Sequence, residues 1–281
     1  MKIAVVTDST SYIPKHIRED LHIHMIPLCV VINSETYREE VDISAADFYE
    51  EVRNGTKLPT TTQPPIGEFE ALYSKLAKEY DAIISIHLSS GISGTFQGAV
   101  AAGDMTENAK VFAYDSEISC MPQGFYVLEA AVMAKAGKTP EEIIARLDEL
   151  KASMRAYFMV DDLTHLQRGG RLSSAQAIIG SLLNIKPLLH FENKVIVPFE
   201  KIRTRKKAMK RVADLLGEDV EKGHRLQATI IHANRVQDAA EWKAELEQLY
   251  PTVDFNISYF GPVIGTHLGE GAMGLGWTIR L

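Results

Sequence analysis

The chain has 281 residues, 46% hydrophobic and 24% charged, with 37 Asp and Glu against 30 Lys and Arg for a net charge of −7. This apolar share suffices for one large core or two smaller ones, and the acidic balance argues against a general nucleic-acid binder, which needs a basic footprint. Two cysteines far apart, Cys29 and Cys120, and histidines without metal spacing argue against a disulfide framework and a structural zinc site.

The opening MKIAVVTDST carries too short an apolar run for a signal peptide, and no stretch approaches the ~20 apolar residues of a membrane span. A soluble, cytoplasmic protein is expected. Short apolar runs then alternate with amphipathic segments, the pattern of an α/β fold. Lys2–Thr7 reads as a strand, Pro14–Leu21 as a short helix and His22–Ile32 as a second β run. Thr36–Ile43 is polar and suits a hairpin; Ser44 is placed to cap a helix over Ala45–Arg53. Lys57–Pro65 is a loop by composition, extended by its flanking prolines. Ile66, Phe69, Leu72, Tyr73, Leu76 and Tyr80 share one face of a helix.

Ala82–Leu88 is the clearest strand; it runs into Ser89-Ser90-Gly91-Ile92-Ser93-Gly94-Thr95, and a helix starts near Thr95. Val111–Tyr114 reads as a strand and Gln123–Ala136 as a helix, and Thr139-Pro140-Glu141-Glu142 starts another that runs to about Met154. With Ala156–Val160 as the next strand, two domains are expected, 1–155 and 156–281. The second half continues in kind: a loop at Arg168-Gly169-Gly170-Arg171, a helix over Ser173–Leu183, and strands Ile185–Phe191 and Lys194–Glu200 around Asn193. Helices are expected over Arg203–Leu216 and Val236–Leu249, strands over Gln227–His232 and Val253–Tyr259, and a Gly-rich end over Gly261–Gly276.

Several motifs fail on inspection. No GxxxxGK[ST] phosphate loop occurs, and the GxGxxG match at Gly269–Gly274 has only seven residues after it, too few for a dinucleotide fold. Gly91-Ile92-Ser93-Gly94-Thr95 has the strand–turn–helix setting of a nucleophile elbow, but Thr95 replaces the last glycine of GxSxG. The same loop suits an anion site better. It follows a strand at its carboxyl end, opens a helix whose first amides lack partners, and carries the hydroxyls of Ser89, Ser90, Ser93 and Thr95. Simple helix capping explains those hydroxyls equally well. Thr60-Thr61-Thr62-Gln63 is a second hydroxyl cluster, and His267 lies between Gly265 and Gly269. Taken singly, each is more simply a solvated loop or a structural hydrogen bond. Lys201, Arg203, Arg205, Lys206, Lys207, Lys210 and Arg211 form a basic run that suits a solvated helix face or an acidic partner.

Together these residues resemble the DegV family. Val6-Thr7-Asp8-Ser9-Thr10 is similar to its first strand and loop, Thr61-Thr62-Gln63-Pro64 to its Thr-Ser-Gln-Pro motif, and Ser89–Thr95 to its Ser/Gly loop. Asp161-Asp162-Leu163 through Arg168–Arg171 matches the central motif, and Gly265-Thr266-His267 the C-terminal one. The motifs occur in family order along nearly the whole chain. The resemblance implies a parallel-sheet N-terminal domain, a second α/β domain with a mixed sheet, and a long-chain fatty acid held between them.

It also implies a role: the acyl-carrying subunit of a fatty acid kinase, not an enzyme alone. A separate ATP-binding subunit would phosphorylate the bound carboxylate to an acyl phosphate. Carried over by position, the carboxylate site comprises Thr61, Ser93, His267 and the amide of Gly94, with Thr62, Ser90 and Thr95 in support. Arg171 and Arg203 match a kinase-docking surface. No cofactor, metal or nucleic acid is implied, and no membrane span, only transient membrane contact. Two features depart from the family pattern: Thr62 stands where serine is frequent, and Glu270 where proline is frequent. Glu270 is expected to point outward, since an acid facing an anion site would repel the ligand. The rival readings are a stand-alone serine hydrolase using Ser93 with His267, and a lipid store or sensor without a kinase.

Overall fold

The computed structural model describes residues 1–55, 57–172 and 186–280. Strands β1 (Ile3–Asp8), β2 (Ile23–Ile26), β6 (Ala82–His87) and β7 (Lys110–Asp115) form a parallel sheet in the order β2-β1-β6-β7. All six residues of β1 and all six of β6 are buried, as expected of parallel strands covered on both faces. Helices α3 (Ile66–Leu76) and α4 (Thr95–Asp104) pack Phe69, Tyr73, Ala99 and Ala102 on one face. Helices α5 (Cys120–Lys135) and α6 (Pro140–Ser153) pack Phe125, Tyr126, Ile143 and Leu147 on the other. Thr139 and Glu142 close a capping box at the start of α6, which satisfies two amides that the helix leaves unpaired.

The second sheet is mixed. Its order is β10-β9-β8-β13-β11-β12, built from β8 (Arg155–Met159), β9 (Lys186–Glu192), β10 (Val195–Ile202), β11 (Leu226–His232), β12 (Asp254–Tyr259) and β13 (Met273–Ile279). Only β11 and β12 run parallel to each other; the other four pairings are antiparallel. Trp277, Met273 and Leu275 face a core shared with Val212 and Leu216 of α8 (Arg205–Val220) and Trp242 and Leu246 of α9 (Val236–Leu249). The opposite face contributes Phe158, Leu189 and Ile231 to a cluster that also contains Tyr12, Leu28 and Leu88 from the first half of the chain. The fold is therefore α/β, with a parallel-sheet lobe and a mixed-sheet lobe meeting across an apolar interface.

A small antiparallel sheet, β4-β3-β5, joins β3 (Cys29–Ile32), β4 (Glu35–Arg38) and β5 (Thr60–Thr62). Here the chain departs from the sequence reading. The hairpin closes at Asn33 and Ser34, both at positive φ, so it spans residues 29–38 rather than 36–43. Pro27 and Leu28 split the long β run into β2 and β3, which enter different sheets. The threonines expected in a loop form edge strand β5; their β-branched side chains suit a strand, and an edge tolerates nearby prolines. The Gly-rich end is also ordered, as helix α10 (Pro262–Leu268) followed by β13. The helix expected over Ser173–Leu183 lies outside the described residues, as does Ile185.

Candidate functional site

In the parallel sheet, the neighbours of β1 are β2 on one side and β6 on the other. The chain order reverses at that point, and ligands of open α/β sheets bind beyond the carboxyl ends of strands at such a switch. The loop after β6 carries Ser89 to Gly94 and delivers Gly94 as the N-cap of α4. A cavity of about 320 Å³ lies against this loop, at the lower end of the roughly 300–1,000 Å³ typical of ligand sites. Both lobes line it.

Several of its polar groups are neighbours: Thr61 meets His267, and Gln63 lies against Gly94. Thr61, Thr62 and Gln63 come from β5 and its exit, Ser93 and Gly94 from the Ser/Gly loop, and His267 from α10. The remainder is largely apolar, including Leu28, Ile118, Pro122, Phe158, Ile231 and Leu275. Cys120 also lines it, and burial pushes its thiol well above the ordinary range, so it serves as a neutral, weakly polar wall.

Thr61 Oγ1 and His267 Nε2 are 2.9 Å apart. Burial lowers the His267 pKa to about 4, with Arg171 and His165 adding to the effect; the ring is neutral at pH 7. Its Nδ1 is buried without a hydrogen-bond partner among the described residues, against Gly169, where a Cβ would lie 2.3 Å from that nitrogen. The direction of the Thr61–His267 hydrogen bond follows the tautomer of the neutral ring. With its proton on Nε2 the ring donates to Thr61 Oγ1 and leaves the Thr61 hydroxyl hydrogen free for an anion in the cavity; with the proton on Nδ1, Thr61 donates to the ring.

Ser93 Oγ lies 2.8 Å from Thr95 Oγ1 and accepts from the Thr95 amide at 3.3 Å. Thr95 is fully buried and outside the cavity lining, so it orients Ser93 from behind. Gly94 has a spatial reason: a Cβ there would meet Gln63 Oε1 at 2.1 Å. Ser90 turns away from the cavity and donates to Asp115 Oδ2 at 2.5 Å. Thr62 is exposed at the rim. Glu270 is exposed and accepts from Arg53 and Asn234, outside the cavity lining.

Arg171 lines the cavity, where its Nε donates to the Ile92 carbonyl at 3.1 Å and Nη1 to the Gly169 carbonyl at 2.5 Å. It thus ties the Ser/Gly loop to the loop after α7 (Thr164–Arg168). Arg203 is exposed just before Thr204, the cap of α8. In the basic run, Arg205 pairs with Asp238, Lys210 with Asp214, and Arg211 with Glu200 and Glu218.

Glu39 is a contributor that the sequence reading missed. Fully buried, it accepts from the Ser9 hydroxyl at 2.6 Å, the Tyr12 hydroxyl at 2.9 Å and the Val263 amide at 2.7 Å. It holds the first turn of the helix that carries His267. A different buried relay joins Asp8, His87 and Ser85: His87 Nδ1 is 3.0 Å from Asp8 Oδ2 and Nε2 is 2.7 Å from Ser85 Oγ. All three side chains are inaccessible and none lines the cavity, so this triad-like order offers no nucleophile to a substrate. Among the described residues, no cluster of His, Cys, Asp and Glu is arranged to hold a metal, and no helix is long and apolar enough to cross a membrane.

A family model described as an uncharacterised protein of the DegV family matches residues 2–280. Protein DegV of Bacillus subtilis strain 168 is 63% identical over 281 residues, covering 100% of both chains. Its crystal structure, described as that of a fatty acid binding protein, superposes with a TM-score of 0.95 at 63% identity and full coverage of both chains. A DegV family protein of Thermus thermophilus, also described for fatty acid binding, gives a TM-score of 0.93 at 30% identity, again covering 100% of each chain.

Proposed function

Since the chain belongs to the DegV family, we propose that it binds a long-chain fatty acid between its lobes and presents the carboxylate to a separate ATP-binding kinase subunit. One observation carries the reading: a largely apolar cavity lined also by Thr61, Ser93, Gly94 and His267, with Thr61 and His267 in hydrogen-bond contact. Burying the ~14 methylenes of a sixteen-carbon chain is worth about 11 kcal/mol gross, before ordering costs. The tail supplies affinity, and the head group needs only orientation. Thr61, Ser93 and the Gly94 amide orient it, Thr61 through His267. Neutral donors suit the chemistry, because the carboxylate must stay nucleophilic. One of its oxygens attacks the γ-phosphorus of ATP, the bond from that phosphorus to the departing ADP breaks, and an acyl phosphate results.

The ligand lies at the join of two domains, 1–155 and 156–281, the first contributing Ser93 and the second His267. Arg171 and Arg203 form the docking surface for the kinase, and the protein works in the cytoplasm with no turnover of its own. The stand-alone hydrolase reading is disfavoured by the hydrogen bonding, since Ser93 Oγ pairs with Thr95 and His267 Nε2 with Thr61 instead of with each other. The test is a coupled assay with the kinase subunit, ATP and a defined fatty acid, with acyl phosphate trapped by hydroxylamine. Product that requires both proteins supports the proposal; acid binding without product in that assay leaves a lipid store or sensor.

A further inference from the structure

A second cavity, of about 350 Å³, is lined by polar groups that include Glu117, Lys151, Asn193 and Lys194. It adjoins the apolar slot, and four residues line both: Ile118, Ala156, Tyr157 and Phe191. Phe191 packs against the inter-lobe cluster and also against the cluster beneath the parallel sheet. Its ring centroid is 6.3 Å from that of Phe158. Tyr157 pairs with His190 across β8 and β9, so Ala156 and Phe191 come next along the two strands. Side chains alternate along a strand, which puts Ala156 on the same face as Phe158, toward the slot. Leu172, next to Arg171, bridges Ile196, which pairs with Phe191, so Leu172, Ile196, Phe191 and Ala156 form one row across the sheet. At about 4.8 Å per strand step the Ala156–Phe191 pair stands roughly 10–14 Å from the Arg171 end, in the wall between the slot and the second cavity.

What lies beyond this pair is hostile to a methyl group. Lys151 Nζ and Lys194 Nζ both face Glu117, at 3.3 and 3.7 Å. A methylene pushed among these ions gains no apolar contact and displaces their solvation. We infer that Phe191, seated beside Ala156, is the stop that sets the longest acyl chain the slot accepts, an inference that rests on the fatty-acid reading above. The bulk is on one strand and the space on the other, so each residue can be altered to move the wall in a chosen direction.

The test measures affinity for a series of saturated fatty acids, from about twelve to about twenty carbons, in the delipidated protein and its variants. Phe191→Ala should move the tightest-bound length upward by roughly two to four carbons, with roughly fourfold in affinity for each methylene that gains a place. Ala156→Leu should move it downward. Should Phe191→Ala fail to fold, Phe191→Leu and Ala156→Leu decide the matter. Unshifted optima in the folded variants, with normal uptake by the parent protein, overturn the stop and leave the fatty-acid reading standing. A parent protein that binds no member of the series overturns both.

Discussion

Thr61 Oγ1 and His267 Nε2 stand 2.9 Å apart although 206 residues separate them in sequence. One comes from an edge strand of the small sheet and the other from the helix over Pro262–Leu268, so this contact joins two distant parts of the chain at the cavity. Thr61→Val removes the hydroxyl at nearly constant volume. The expected loss in fatty-acid affinity is about 1 kcal/mol, roughly fivefold, because the tail is unchanged. Kinase-coupled acyl phosphate formation should fall further than affinity does. Titration calorimetry beside the coupled assay separates the two effects.

The His267 ring is expected to titrate near 4, well below an ordinary histidine, because burial and the neighbouring Arg171 disfavour its cation. An unfolded histidine takes its proton near 6.5. Between those values the unfolded chain binds more protons, so this residue's contribution to stability is present above about 6.5 and is lost as pH falls toward 4. NMR titration of labelled histidine checks the value directly, and His267→Gln should remove this part of the acid dependence.

Glu39 works in the opposite direction. Burial raises its carboxyl to about 8, against the lowering effects of the Ser9, Val263 and Tyr12 donors. The folded chain keeps its proton where the unfolded chain has lost it, near 4.5. Stability should therefore decline as pH rises from about 5 to about 8, and Glu39→Gln should flatten that slope. Glu39→Ala leaves three donors without an acceptor, and a loss of about 3 kcal/mol or more is expected. Urea melts at a series of pH values read both effects.

Gly94→Ala should displace the Gln63 side chain, since the new Cβ would fall 2.1 Å from Gln63 Oε1. That atom is the free end of a flexible, exposed side chain, so the expected loss in affinity is small, about threefold or less. The φ of −79° at Gly94 suits any residue, so the obstacle is the neighbouring side chain and not backbone strain. Gln63→Ala combined with Gly94→Ala should recover part of the lost affinity. A double-mutant cycle on fatty-acid binding measures the coupling.

Much of the architecture was legible in local patterns. The buried runs of β1 and β6, the Ser44 and Thr139 caps and the helix faces all follow from residue spacing within one element. Cavity residues were legible only where they shared a short motif, as Ser93 and Gly94 do. Glu39 carried no signal, because its partners Ser9, Tyr12 and Val263 are brought together only by the tertiary fold. Arg171 read as part of a basic surface; that its guanidinium also donates to the Ile92 and Gly169 carbonyls beside the cavity carried no local signal. Phe191 was indistinguishable from an ordinary strand residue, since a cavity wall and a core position demand the same apolar side chain.

The most direct test of the central claim is mass spectrometry of lipid extracted from the protein purified from cells. A long-chain fatty acid near one per protein chain is the predicted result, with reuptake after delipidation. Protein that carries no fatty acid, and takes none up when it is offered, would contradict the account.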